Sequence, residues 1–167
     1  MKRLIYAIVF FTWGTTIVSA EDYKKAFDNV QQIFEQRSAD ALDNLEKYLN
    51  DYPYTPFVDE IYTMQGVLYS EKGDYDNTIN ALKKVYVKEL SRITEPMYYF
   101  HMGYAYMQLK EYKKALVYLT PIKNNHNNPY TLQASYYTGY CYYCLKEYGQ
   151  ALVEFLALEH VGGYRKI

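Results

Sequence analysis

Residues 99 to 119, YFHMGYAYMQLKEYKKALVYL, carry the pattern that organises this chain. As spacing it reads Tyr99-x2-Met102-Gly103-x2-Tyr106, followed nine residues after the last tyrosine by Ala115-x3-Leu119. Upstream the same two signatures stand as Tyr62-x2-Gln65-Gly66-x2-Tyr69 and Thr78-x3-Leu82; downstream as Ser135-x2-Thr138-Gly139-x2-Tyr142 and Ala151-x3-Phe155. The three glycines lie 37 and 36 residues apart, and the nine-residue interval is kept in every copy. Between the signatures sits a turn with its own echo: Gly73-Asp74-Tyr75, Lys110-Glu111-Tyr112 and Lys146-Glu147-Tyr148. Self-similarity at such a period marks a supersecondary unit that stacks on copies of itself.

The residues explain why each copy is a helical hairpin. A glycine inside a helix costs about 1 kcal/mol relative to alanine. Its recurrence at Gly66, Gly103 and Gly139 therefore marks a place where a second helix passes close. Ala115 and Ala151 offer the small facing surface, and Leu82, Leu119 and Phe155 the apolar group that packs there. Tyr69, Tyr106 and Tyr142 stand one helical turn from the glycines on the same stripe. One hairpin alone cannot bury that stripe.

These motifs resemble the tetratricopeptide repeat, in which a large aromatic, a Leu-Gly pair and a tyrosine on one helix precede alanine, an aromatic and proline on the next. The resemblance covers residues 56 to 160. The period here is two or three residues longer than the family's ~34, and the Leu before Gly is replaced by Gln65, Met102 and Thr138. The extra residues fall between hairpins, around Lys88 to Pro96 and Lys123 to Pro129. The related Sel1-like repeat shares the longer period, though its additional glycines are not evident. The resemblance implies an all-α chain, an α-solenoid of antiparallel helical hairpins coiled as a right-handed superhelix. The expected copies are 56–92, 93–128 and 129–160. Residues 21–55 read as a degenerate first hairpin: Ala41, Leu42, Leu45, Tyr48 and Pro53 match the second helix, while Phe27, Val30 and Phe34 keep helical spacing without the Gly and Tyr. Terminal copies are commonly atypical because one face meets solvent. Residues 161–167 read as the start of a further helix or repeat, so a fragment of a longer protein, or a partner or second copy that caps this end, is expected.

The first twenty residues are of another kind. Lys2 and Arg3, an apolar run from Leu4 to Phe11, and Val18-Ser19-Ala20 together read as a cleaved signal peptide, with cleavage after Ala20. The run is too short for a comfortable span of ~20 apolar residues, so no membrane span is expected after cleavage. No cysteine precedes Cys141, which argues against a lipid anchor near the cleavage point. Export to the periplasm or the outer-membrane surface of a Gram-negative cell is the expected location. Loss of Lys2 and Arg3 leaves 16 basic against 19 acidic residues, a net charge of −3. Phosphate binding needs a clustered basic excess, so nucleic acid is not an expected partner. Half the residues are hydrophobic and 19% aromatic, enough for a packed core rather than a disordered chain. No linker-like run occurs, and one domain is expected.

Catalytic chemistry is hard to find. Cys141-Tyr142-Tyr143-Cys144 has redox spacing, but redox pairs sit where a strand enters a helix, whereas these fall inside a helix and read as small fillers. His101, His126 and His160 are isolated; no HExxH and no nucleophile elbow occurs. Asp74, Asp76, Glu111 and Glu147 flank turns, where capping accounts for them. A non-enzyme without metal or cofactor is expected.

In tetratricopeptide proteins the concave face is lined by fixed positions of each first helix. The glycine register carries these to Thr63, Met64, Val67 and Ser70; to Met97, Phe100, His101, Tyr104 and Met107; and to Gln133, Tyr136, Tyr137, Tyr140 and Tyr143. The resemblance implies partner binding there, with Met97, Phe100, His101, Tyr104, Met107, Tyr136, Tyr137, Tyr140 and Tyr143 as the candidate groove. Aromatic and apolar groups replace the Lys, Arg and Asn that grip acidic C-termini in the family. An apolar or extended peptide suits tyrosine and methionine. The expected role is a scaffold that holds a protein or peptide; the alternatives are a glycan-binding module, or the docking arm of a longer protein with a separate functional domain.

Overall fold

In the computed structural model, residues 19–124 and 128–161 are described, the side chains of 159–161 excepted. Residues 1–18 of the expected signal peptide 1–20, His126, the His160 side chain and residues 162–167 lie outside them. Among the described residues the chain is all-α: α1 (Ala20–Glu35), α2 (Ala41–Asp51), α3 (Val58–Glu71), α4 (Tyr75–Leu82), α5 (Thr94–Gln108), α6 (Tyr112–Leu119), α7 (Thr131–Cys144) and α8 (Tyr148–Val161). A single 3-10 turn, Val87–Glu89, occupies the extra length between α4 and α5. Instead of one packed domain the chain forms two compact units, one ending at Val58 and one beginning at Asp59. The division falls at the first turn of α3, close to the boundary expected at residue 55, because the degenerate hairpin closes a core of its own.

That core holds Phe27, Val30 and Phe34 from α1 with Ala41, Leu45 and Tyr48 from α2, the residues whose spacing marked both helices. Phe27 stacks on Phe57 with ring centroids 4.2 Å apart. The Tyr48 hydroxyl lies 2.6 Å from Thr55 Oγ1 and donates to the Tyr23 carbonyl at 3.3 Å, so a buried phenol keeps polar partners. At the start of α1, Ser19 Oγ accepts from the Asp22 amide at 3.1 Å while the Asp22 carboxylate accepts from the Ser19 amide at 2.9 Å, a reciprocal capping box.

In the second unit α3/α4, α5/α6 and α7/α8 are hairpins, and each glycine lies where the register put it. A methyl on Gly66 would stand 2.5 Å from Leu82 Cγ; on Gly103, 2.6 Å from Leu119 Cγ; on Gly139, 2.8 Å from Phe155 Cε1. The close approach is real in all three copies, with the same partner position each time. Between hairpins, α4 packs on α5 and α6 on α7, and α5 also meets α7. The continuous core of Leu82, Tyr98, Met102, Ala105, Leu119, Ala134 and Cys141 runs through these contacts.

The turns inside the hairpins repeat as well. Arg37, Gly73, Lys110 and Lys146 all take left-handed backbone, φ 52°, 76°, 62° and 64°. Each closes the same pair of bonds: Lys110 N–H to the Met107 carbonyl and Glu111 N–H to the Tyr106 carbonyl, with Arg37/Ser38, Gly73/Asp74 and Lys146/Glu147 following suit. These are Schellman closures of a helix end. Arg37 falls in step with the other three, so the degenerate hairpin shares the turn although it lacks the Gly-Tyr signature.

Tyr98 shows how tightly the core is sealed. Burial, then the neighbouring Tyr118, Tyr99 and Tyr106, pushes its phenol up to about 12. A raised folded-state pKa means that the protonated phenol is favoured by the fold. Its contribution is complete below the ordinary tyrosine range and is lost as pH rises through about 12. Phenolate absorbance is expected to lose its latest-titrating tyrosine, near pH 12, in Tyr98→Phe.

Candidate interaction surface

The nine residues assigned to a groove do not form one open surface. His101 and Met107 are buried, Met97, Phe100, Tyr104 and Tyr137 are half-buried, and only Tyr136, Tyr140 and Tyr143 are exposed. The cause is the next hairpin. Tyr130, at the entrance to α7, stacks on Phe100 at 4.5 Å, and Tyr137 of α7 meets Phe100 at 6.1 Å and Tyr104 at 5.2 Å. His101 meets Phe100 and Tyr130 edge-on, at 5.2 and 5.8 Å. The first-helix positions carried over from the family are therefore, for α5, the seat of α7.

The same seating recurs at the second-helix starts. Tyr75 meets Tyr104 edge-on at 5.9 Å, and Tyr112 meets Tyr140 edge-on at 6.4 Å, so each turn tyrosine is met by the first helix that follows. Tyr75, Tyr112, Tyr130 and Tyr148 are the aromatic residues missing from the sequence-level assignment. For Tyr75, Tyr112 and Tyr148 the signal was the recurring turn echo, whose third residue is tyrosine in all three copies; Tyr130 has no such echo.

What stays open is a stripe on α7 and α8. Leu132, Tyr136, Tyr140 and Tyr143 follow helical spacing on α7, and Tyr148, Leu152 and Leu156 follow it on α8, all exposed. The two rows lie side by side: Tyr136 is 5.9 Å from Phe155, and Tyr143 is 5.6 Å from Tyr148. Helix α7 has no Asp, Glu, Lys or Arg in its 14 residues. Glu154 of α8 is bound by Lys123 in an ion pair that is largely out of solvent. The stripe is thus wide, aromatic and uncharged.

The cysteines are free and sit within α7. Cys141 takes the place that Ala105 holds one repeat earlier, and both are fully buried. Burial, reinforced by the nearby Cys144, pushes its thiol up to about 12, which leaves almost no thiolate at neutral pH. The Cys144 side chain beside Tyr112 and Tyr140 holds both phenols above their ordinary value. Titration of the native protein with a thiol reagent near pH 8 is expected to modify Cys144 alone, Cys141 reacting only on unfolding. Among the described residues no group of three or more His, Cys, Asp or Glu is arranged to hold a metal, and no helix is long and apolar enough to cross a membrane.

The fold and the stripe define an all-helical protein of repeated hairpins. Neither a family model, nor a curated protein, nor a solved structure matches this chain.

Proposed function

We propose that the chain is an exported, non-catalytic scaffold of tetratricopeptide type, a right-handed solenoid of the Gram-negative envelope that holds a protein or peptide. The observation that carries this reading is the uncharged row of Tyr136, Tyr140 and Tyr143 on a hairpin fixed by Gly139 against Phe155. Rigid tyrosines supply large amphipathic area at low entropic cost, which is what protein-binding surfaces use most. Without a charged residue on α7, recognition of an acidic or basic terminus has no support; an extended segment of apolar and small polar residues fits better.

The test is a peptide array and a glycan array probed with the wild-type chain and with Tyr140→Ser/Tyr143→Ser. Peptide binding that drops tenfold or more in the variant supports the scaffold. Glycan binding with the same dependence moves the reading to a sugar-stacking module, and no binding to either array sinks both. Export has its own check: the protein recovered from cells is expected to begin at Glu21.

A further inference from the structure

Three sets of equivalent positions can be followed along the second unit. In the first hairpin they are Thr63, Val67, Ser70, Tyr75 and Ile79, all buried except the half-buried Tyr75. In the second they are Phe100, Tyr104, Met107, Tyr112 and Leu116, buried or half-buried under α7. In the third they are Tyr136, Tyr140, Tyr143, Tyr148 and Leu152, with 52, 40, 58, 58 and 59% of their surface exposed. The chemistry of the row does not become more polar as it becomes more exposed; four tyrosines and a leucine replace Thr, Val, Ser, Tyr and Ile.

We infer that the α7/α8 stripe is covered by the same stripe of a second copy of this chain, in a two-fold symmetric dimer. The inference deepens the scaffold reading, on which it rests for the claim that the stripe is a docking surface. Two observations select a second copy. The first is charge: α7 has none, so a two-fold axis can lay the face on itself without opposing like charges. The chemistry also matches, because Tyr75 and Tyr112 are each met edge-on by a tyrosine of another helix, and α7 of a second copy presents such tyrosines to Tyr148. The second is area: taking ~200 Å² for each of the four tyrosines, their exposed fractions leave roughly 400 Å² per copy, to which the exposed Leu132, Leu152 and Leu156 add. Stable dimers bury ~800 Å² per partner.

The experiment is sedimentation or light scattering of the purified chain from ~1 to ~100 µM, the range in which interfaces of this size still dissociate, alongside Tyr140→Lys/Leu152→Lys. The wild type is expected to double in mass across this range and the variant to stay monomeric with unchanged helicity, its Tm matching that of the dissociated wild type. Val117→Lys, an exposed apolar residue of α6 outside the stripe, is expected to leave the dimer intact. A wild type monomeric at ~100 µM, or a dimer that survives both lysines, overturns the inference. The two readings fail separately. A monomer whose peptide binding needs Tyr140 keeps the scaffold and loses the dimer; a stripe-dependent dimer that binds neither array keeps the dimer and loses the separate partner.

Discussion

Gly103→Val is expected to remove about 3 kcal/mol of stability. A Cβ there stands 2.6 and 2.8 Å from Leu119 Cγ and Cδ2, and 3.2 Å from the Ala115 carbonyl oxygen. The leucine tip can rotate, but the carbonyl belongs to the backbone of α6, so relief requires the two helices to separate. Separation exposes Leu119 and Met102, both in the continuous core. Gly103→Ala is expected to be milder, since about 1 kcal/mol of helix propensity offsets part of the clash. Urea or thermal unfolding followed by helicity measures both. The diagnostic is Leu119→Ala in the Gly103→Val background: if the clash is the cause, the double variant is more stable than the sum of the two single losses by ~1 kcal/mol or more.

The second large effect is expected at the ion pair of Lys123 and Glu154. Their side chains are only 15% and 13% exposed, so water does little to screen them. The pair links the turn after α6 to α8, and the same turn is held by the Ser135 hydroxyl donating to the Lys123 carbonyl at 3.2 Å. Glu154→Ala leaves an ammonium in a largely dry place and is expected to cost about 3 kcal/mol. Lys123→Met/Glu154→Leu is expected to recover most of that loss, because two apolar groups need no partner. Chemical denaturation of the three proteins decides: a Glu154→Ala midpoint equal to wild type would show the pair to be solvated in solution.

Much of this fold was legible because its costs are local. A glycine in mid-helix is unfavourable unless something fills the space, so Gly66, Gly103 and Gly139 at a constant period pointed to Leu82, Leu119 and Phe155. The hairpin turns were legible in position but not in conformation. Gly73 advertises a left-handed residue, whereas Arg37, Lys110 and Lys146 adopt the same φ with no compositional mark. The interaction surface was the least legible. Spacing identifies which residues share a face, as with Phe100 and Tyr104 on α5, whose rings lie 5.9 Å apart. It cannot say what lies on top of that face, and Tyr130 at the entrance to α7 and Tyr137 within it take the α5 positions away. The remaining rows differ from the covered ones in their neighbours rather than their composition.

The four left-handed turns also act as a ruler for gene-level change. From one to the next the chain travels 36 or 37 residues and meets an identical closure. Excision of 111–146 in frame would join the end of α5 to the start of α8 through a turn that both halves already specify. Gly103 would then face Phe155 in place of Leu119, a swap between groups that already fill equivalent sites in this molecule. Length is therefore the property this architecture can vary most cheaply: whole hairpins can be inserted or lost by recombination between turns, with each new junction inheriting packing partners that are already compatible.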